Sequence, residues 1–324
     1  MPLDLSTDYL GLTLRNPMIV GASPFCDDVH LALQLQDAGA AALVMRSLFE
    51  EQISPPPLIV HRPGRPEAEF PEFADYQFAP DQYLRQIGHL KRTLTIPVIA
   101  SLNGHRPGRW IDFSRDIESA GADALELNFY QVITDANVAA DQVETEMLEV
   151  VGTLASRLKI PIAVKLSPFH ASIAQLAVAL ELAGAAGVVV FNRFYQPDIN
   201  PEDLEVHAQL RLSDPGELLL RLRWLAILSP QVRGTLAATG GIHTSAGVVK
   251  AILAGAHAVQ VVSLLLRHGP HFLAVLLRDL QLWMNQHGYD SLAKFRGLLN
   301  LNRCPDASAF ERANYIRTLQ SWRV

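Results

Sequence analysis

One unit recurs four times along the chain, and it constrains the fold more than any other feature of the sequence. Each copy opens on a short apolar run: Pro17-Met-Ile-Val-Gly, Pro97-Val-Ile-Ala-Ser, Pro161-Ile-Ala-Val-Lys and Thr235-Leu-Ala-Ala-Thr. A helix-like stretch follows and ends in Ala-Gly-Ala, centred on Gly39, Gly121, Gly184 and Gly255. A second apolar run comes next: Ala42-Leu-Val-Met, Ala124-Leu-Glu-Leu, Gly187-Val-Val-Val and Ala258-Val-Gln-Val. Glycine just past a helix accepts the left-handed backbone that ends it. Short apolar runs without alternation read as strands buried on both faces, as in a parallel sheet. Four strand–helix–strand units make eight strands, each followed by a helix. The expectation is an α/β chain closed into a (β/α)8 TIM barrel, one domain over residues 1–324, with an open doubly wound sheet as the alternative.

Two connections exceed ordinary barrel loops, Glu50 to Ala79 after strand 2 and Phe194 to Pro215 after strand 6. Loops of this length are uncommon unless they cover a site, and both leave the carboxyl ends of strands, where barrel enzymes keep their chemistry. The tail from Tyr289 to Val324 reads as one or two amphipathic helices placed beneath or beside the barrel.

Composition narrows the function classes. The 324 residues carry 27 basic and 33 acidic side chains, a net charge of −6 without a basic run, which argues against a nucleic-acid binder. Two cysteines, Cys26 and Cys304, cannot supply a disulfide scaffold or a cysteine-rich metal centre. The first residues lack a signal core, and the apolar run Ala254 to Leu266 is too short to span a bilayer. The expected location is the cytoplasm.

Several residues fall where barrel chemistry sits. Thr239-Gly240-Gly241-Ile242 ends strand 7 and opens a helix near Thr244 or Ser245. Paired glycines let backbone N–H groups approach an anion, and the loops after strands 7 and 8 are the usual phosphate site. Val262 and Ser263 at the end of strand 8 could complete that cradle. Lys165 lies inside an apolar strand, where a charge is costly unless it meets a ligand or a carboxylate. Arg46 closes strand 2, Ser101 and Asn103 end strand 3, Asn128 ends strand 4 and Asn192 ends strand 6. Together they would ring one barrel mouth with amides and two cations, suited to a flat heteroaromatic ligand carrying a phosphate. His105, His170 and His243 follow strands 3, 5 and 7 and could reach the same mouth; Cys26 reads as packing. No Gly-x-Gly-x-x-Gly, Walker-type phosphate loop or His-Glu-x-x-His occurs, and no metal site is expected.

The strand motifs, in order, resemble those of the dihydroorotate dehydrogenase family, the FMN-dependent barrels of pyrimidine synthesis. The similarity runs from Leu10-Gly-Leu-Thr-Leu-Arg-Asn-Pro and Gly21-Ala-Ser through Leu125-Glu-Leu-Asn, Val164-Lys-Leu-Ser-Pro and Phe191-Asn192. It continues with Ala238-Thr-Gly-Gly-Ile-His-Thr-Ser and closes on Ser291-Leu-Ala-Lys-Phe-Arg-Gly. The resemblance implies FMN, with Ala22, Ser23 and Ser47 along the flavin and Lys165 at the polar edge of its ring. It places Gly240, Gly241, Val262 and Ser263 on the phosphate, and Asn128 and Asn192 on a pyrimidine-like substrate such as dihydroorotate or orotate. It also implies a homodimer, and a redox partner protein where electrons leave one at a time. Three departures stand out. Arg46 replaces a family lysine, the strand 2 loop lacks the family's substrate-gripping asparagines, and Gln131 occupies the position of the family's cysteine or serine base. Glutamine cannot take a proton from carbon, so Tyr130 and then His105 are the candidate replacements. Alternation along a strand would turn Tyr130 away from the flavin.

Overall fold

Eight short parallel strands form a ring because each apolar run is buried on both sides and pairs with two neighbours. The computed structural model describes residues 3–54, 59–60, 68–69, 78–105, 107–193 and 195–323. In chain order the barrel comprises β1 (Met18–Val20), α1 (Val29–Asp37), β2 (Ala42–Val44), α2 (Pro80–Thr93), β3 (Val98–Asn103) and α3 (Arg109–Ser119). It continues with β4 (Ala124–Asn128), α4 (Ala140–Arg157), β5 (Ile162–Leu166), α5 (Ile173–Leu182), β6 (Gly187–Val190) and α6 (Leu218–Leu228). The last units are β7 (Thr235–Thr239), α7 (Ser245–Ala254), β8 (Ala258–Val261) and α8 (Phe272–Gln286). β8 pairs with β1 through Val259 and Met18, which closes the ring and excludes the open sheet. A further two-residue strand, Leu48–Phe49, extends the sheet along the end of β3. The glycines of the four Ala-Gly-Ala repeats have φ of +101° to +122°, the conformation expected of them at helix ends.

Strand alternation sorts the barrel interior into layers. The lowest inward layer is small and apolar, with Ala124, Ala163, Ala237 and Ala258 beside Ile19 and Ile99. Alanines leave the barrel bottom underfilled. A hairpin of Thr7–Tyr9 and Leu12–Leu14 plugs it by inserting Tyr9, Leu10 and Leu14 into the same cluster. Two residues further along, the inward positions become polar: Ser101 on β3, Glu126 on β4, Lys165 on β5 and Gln260 on β8, all buried. The larger core lies outside the ring, between strands and helices.

The expected loop after β6 is partly regular. Pro197–Asn200 and Glu205–Ala208 form an antiparallel hairpin that stands largely exposed. The expected loop after β2 lies mostly outside the described residues; Ile59–Val60 pairs there with Ala68–Glu69. The tail differs from a pair of amphipathic helices. Its first part is a 3-10 turn that buries Leu292 and Phe295 and ties to the N-terminus through Asp4 N–H donating to Asp290 O at 2.8 Å. Its single α-helix, α9 (Arg312–Ser321), buries no residue.

Beneath the barrel, His257 Nδ1 accepts a hydrogen bond from Leu236 N–H at 3.1 Å. Burial, with Arg296 nearby, pushes the imidazole from 6.5 down to about 4. The unfolded chain therefore binds a proton that the folded one refuses. The resulting stability is complete above about pH 6.5 and is lost as pH falls toward about 4, roughly 3 kcal/mol in all. Denaturant titrations across that window should show a smaller acid loss in His257→Asn than in the parent. Equal losses would show that His257 does not carry the effect.

Candidate active site

The cavity at the carboxyl ends of the strands is built on the polar layer. It encloses about 580 Å³ and reaches down to Lys165 and Gln260. Lys165 Nζ lies 3.1 Å from Glu126 Oε1 and 3.4 Å from Gln260 Oε1. Gln260 Nε2 donates to the other Glu126 oxygen. The Glu126 side chain is 1% exposed and that of Lys165 9%, so a compensated ion pair forms the cavity floor. Lys165 thus meets a carboxylate and faces the cavity, two roles that the sequence left as alternatives. Glu126 and Gln260 were not singled out from the sequence. Their signal is a polar residue two places into an otherwise apolar strand, in Ala124-Leu-Glu and Ala258-Val-Gln.

One layer higher, Asn128 and Asn192 line the cavity wall, 9% and 8% exposed. Asn128 Oδ1 and Asn192 Nδ2 are buried and have no hydrogen-bond partner within the protein. An unsatisfied buried polar atom costs about 1–3 kcal/mol, so both amides are set for a polar ligand.

The far end of the cavity is formed by the paired-glycine turn after β7 and by Ser263. Gly240 and Gly241 have φ of +87° and +80°, and Thr244 caps α7 by accepting from Gly247 N–H at 3.2 Å. Ser263 lines this end and bonds Ser213 Oγ at 2.9 Å. Ser213 Oγ also accepts from Gly241 N–H at 3.3 Å and lies 3.3 Å from His243 Nε2. Burial pushes the His243 imidazole down, favouring its neutral form. Ser213 comes from the long β6 connection, 50 residues before Ser263, and no local motif marks it. Buried Arg221 braces the turn from beneath, donating through Nε to Thr239 O at 3.0 Å. A side chain at Gly241 would collide with the Leu218 backbone nitrogen at the start of α6. The obstacle to substitution there is the protein itself, not only a ligand. Gly241→Val is expected to lower the thermal midpoint, and a midpoint equal to the parent's would show that the turn yields without cost.

Ala22, Ser23, Arg46, Ser47 and Val262 also line the cavity. Arg46 is paired with Asp27 at 2.7 Å, which holds its guanidinium at the wall. Ser101 departs from the expectation: it is fully buried and contacts the wall only through Ser47, Oγ to Oγ at 2.7 Å. Tyr83 fixes it there, donating to Ser101 O at 3.0 Å and accepting from its N–H at 2.9 Å. Tyr130 lines the cavity, whereas Gln131 lines only a neighbouring one. Counted from inward-facing Asn128, alternation itself puts Tyr130 on the cavity side and Gln131 away from it; the expectation had counted from Gln131 as the residue facing the flavin. His105 binds Glu50 at 2.6 Å and His170 faces the neighbouring cavity, so neither lines the main one. Cys26 is packing, as expected: its thiol donates to Ser23 O at 3.1 Å, and burial pushes it up to about 12. Among the described residues no group of three or more potential ligands is arranged to hold a metal, and no helix is long and apolar enough to cross a membrane.

A buried cation below, unmet amides on the walls and a paired-glycine turn after β7 meet at the carboxyl ends of the strands, the face where barrel enzymes keep their chemistry. The family model described as dihydroorotate dehydrogenase matches residues 77–284, more than half of the chain. The chain belongs to the dihydroorotate dehydrogenase family. It is 24% identical over 313 residues to the catalytic subunit of dihydroorotate dehydrogenase B (NAD(+)) from Thermoplasma acidophilum, covering 91% of this chain and 98% of that one. It is 25% identical over 305 residues to the same subunit from Bacillus cereus, covering 90% and 96%. With the NAD-dependent dihydropyrimidine dehydrogenase subunit PreA of Escherichia coli K12 it shares 24% over 323 residues, covering 93% and 78%.

Proposed function

We propose that the chain is an FMN-dependent oxidoreductase that moves hydrogen to or from a carbon–carbon bond of a small ring, as a single catalytic unit over residues 1–324. The observation that carries this reading is the pair of unmet amides, Asn128 and Asn192, in a cavity that runs from a lysine to an anion cradle. Bound FMN would supply the hydride exchange. Gly240, Gly241, Val262, Ser263 and Ser213 would hold its phosphate through backbone N–H groups and hydroxyls. Ala22, Ser23 and Ser47 would flank the ring, and Lys165 would offer positive charge at its polar edge. Glu126 and Gln260 hold that ammonium in place. Asn128 and Asn192 would orient the substrate ring, and Tyr130 would exchange a proton at the reacting carbon.

The substrate nearest to this reading is dihydroorotate or orotate, in keeping with the names of the relatives. The second reading is a different small ring, favoured by the turning of Gln131 out of the main cavity. A cytoplasmic homodimer that hands electrons to a separate redox partner completes the proposal, and light scattering on the purified protein checks its oligomeric part. The central test is the visible spectrum and mass of protein isolated without added cofactor, followed by titration with orotate and dihydroorotate. The expected result is a yellow protein releasing FMN, with a spectrum that shifts on ligand addition. A colourless protein that also ignores added FMN would overturn the proposal.

A further inference from the structure

A second cavity of about 660 Å³ lies beside the first, between the loops after β4, β5 and β6 and the start of α4. Tyr130 and Tyr195 line both cavities and so form the wall between them. Beyond that wall the lining is mostly apolar, with Phe129, Val132, Ile133, Val143, Met147 and Phe169. Its polar lining comprises Gln131, Glu144, Ser167, His170 and Gln196 beside the two tyrosines. Ser167 Oγ is already engaged by Phe169 N–H at 3.0 Å, and Glu144 lies 3.9 Å from His170 Nδ1. Burial pushes His170 down, toward the neutral imidazole. Among the described residues no lysine or arginine lines this cavity. A carboxylate or phosphate would therefore find no cation to compensate its desolvation, and Glu144 would repel it.

The mouth is apolar as well. Val132, Ile133, Phe169 and Tyr195 are 64%, 41%, 69% and 49% exposed around it. Large side chains clustered at a concave site and left in water mark a place where an apolar ligand binds. Tyr130 and Tyr195, which line both cavities, set the two side by side and point to a ligand whose reacting part sits in the first cavity.

We infer that the second cavity binds an uncharged, ring-bearing apolar substituent of the molecule that reacts in the first cavity. This inference rests on the flavin reading above and deepens it, because it names the substrate class. The reacting molecule has two parts, a small polar ring met by Asn128 and Asn192 and an apolar arm beyond Tyr130. Gln131 then belongs to recognition of the arm, not to proton transfer.

The test uses 2-naphthol as an uncharged two-ring probe on the full chain, followed by calorimetry and by flavin absorbance. The comparison variants are Ile133→Asp and Phe169→Asp, which put a carboxylate at exposed positions on the apolar lining. The expected result is binding that shifts the flavin spectrum in the parent and weakens by about tenfold or more in both variants, with FMN content unchanged. Absence of binding, or equal binding in the variants, overturns the inference. Binding without a flavin shift overturns it too, since the arm would not adjoin the reacting ring. Failure of the flavin reading is seen separately, as a protein that takes up no FMN, while calorimetry still reports on the second cavity.

Discussion

Replacing Lys165 by methionine is expected to destabilise the protein by about 3–5 kcal/mol, because it strands the Glu126 carboxylate inside the barrel. Glu126 is 1% exposed and would keep only the uncharged Gln260 as partner. The sequence left open whether Lys165 meets a ligand or a carboxylate. The ion pair at 3.1 Å shows that it meets a carboxylate. The double variant Lys165→Met/Glu126→Gln removes both charges and should recover most of the lost stability, since a buried pair replaced as a unit costs little. It should nevertheless leave bound flavin harder to reduce, because the cation at its polar edge is gone. Urea titration of the single and double variants, together with flavin reduction potentials, separates the two effects. A single variant that unfolds at the parent's midpoint would show that Glu126 does not need its partner. A double variant with the parent's flavin potential would show that Lys165 serves the fold alone.

The barrel was legible because its signal is local and repeated. Each apolar run with its Ala-Gly-Ala helix end could be read within about thirty residues, the size of one strand–helix unit. The glycine pair Gly240-Gly241 and the lone charge of Lys165 were legible for the same reason, as residue types out of keeping with their immediate surroundings. The rest of the site depends on contacts that sequence spacing does not encode. Ser213 reaches Gly241 and Ser263 only because the β6 connection folds back over the cradle, and Arg221 reaches Thr239 from a neighbouring helix. Glu126 and Gln260 sat inside strand motifs already quoted, but their shared layer with Lys165 emerges only when β4, β5 and β8 close into one ring. The expectation for Tyr130 and Gln131 failed at its starting point: alternation was counted from Gln131 as the residue facing the flavin, whereas counted from Asn128 it turns Tyr130 into the cavity and Gln131 away.

Dihydroorotate oxidation near neutral pH is expected to be slower by about 10² to 10⁴ than in a protein that carries a competent base at this site, even with FMN bound. Cysteine or serine is absent from the position after Asn128-Phe-Tyr, and the glutamine there faces the second cavity. Gln131→Cys should therefore restore little, since the new thiol would line the wrong cavity. Of the two phenols on the main cavity wall, Tyr130 and Tyr195, Tyr130 is the one two residues from Asn128, and only as phenolate could it take a proton from carbon. The consequence is measurable by anaerobic stopped-flow bleaching of the flavin: Tyr130→Phe should slow the residual reaction while leaving the orotate-induced spectral shift in place. The retained shift matters, because it distinguishes lost proton transfer from a lost substrate site built on Asn128 and Asn192. Fast oxidation at neutral pH that survives Tyr130→Phe would contradict the assignment and point to a base that reaches the cavity only when substrate is bound. His105, held by Glu50 at 2.6 Å outside the cavity, would then be the next side chain to replace.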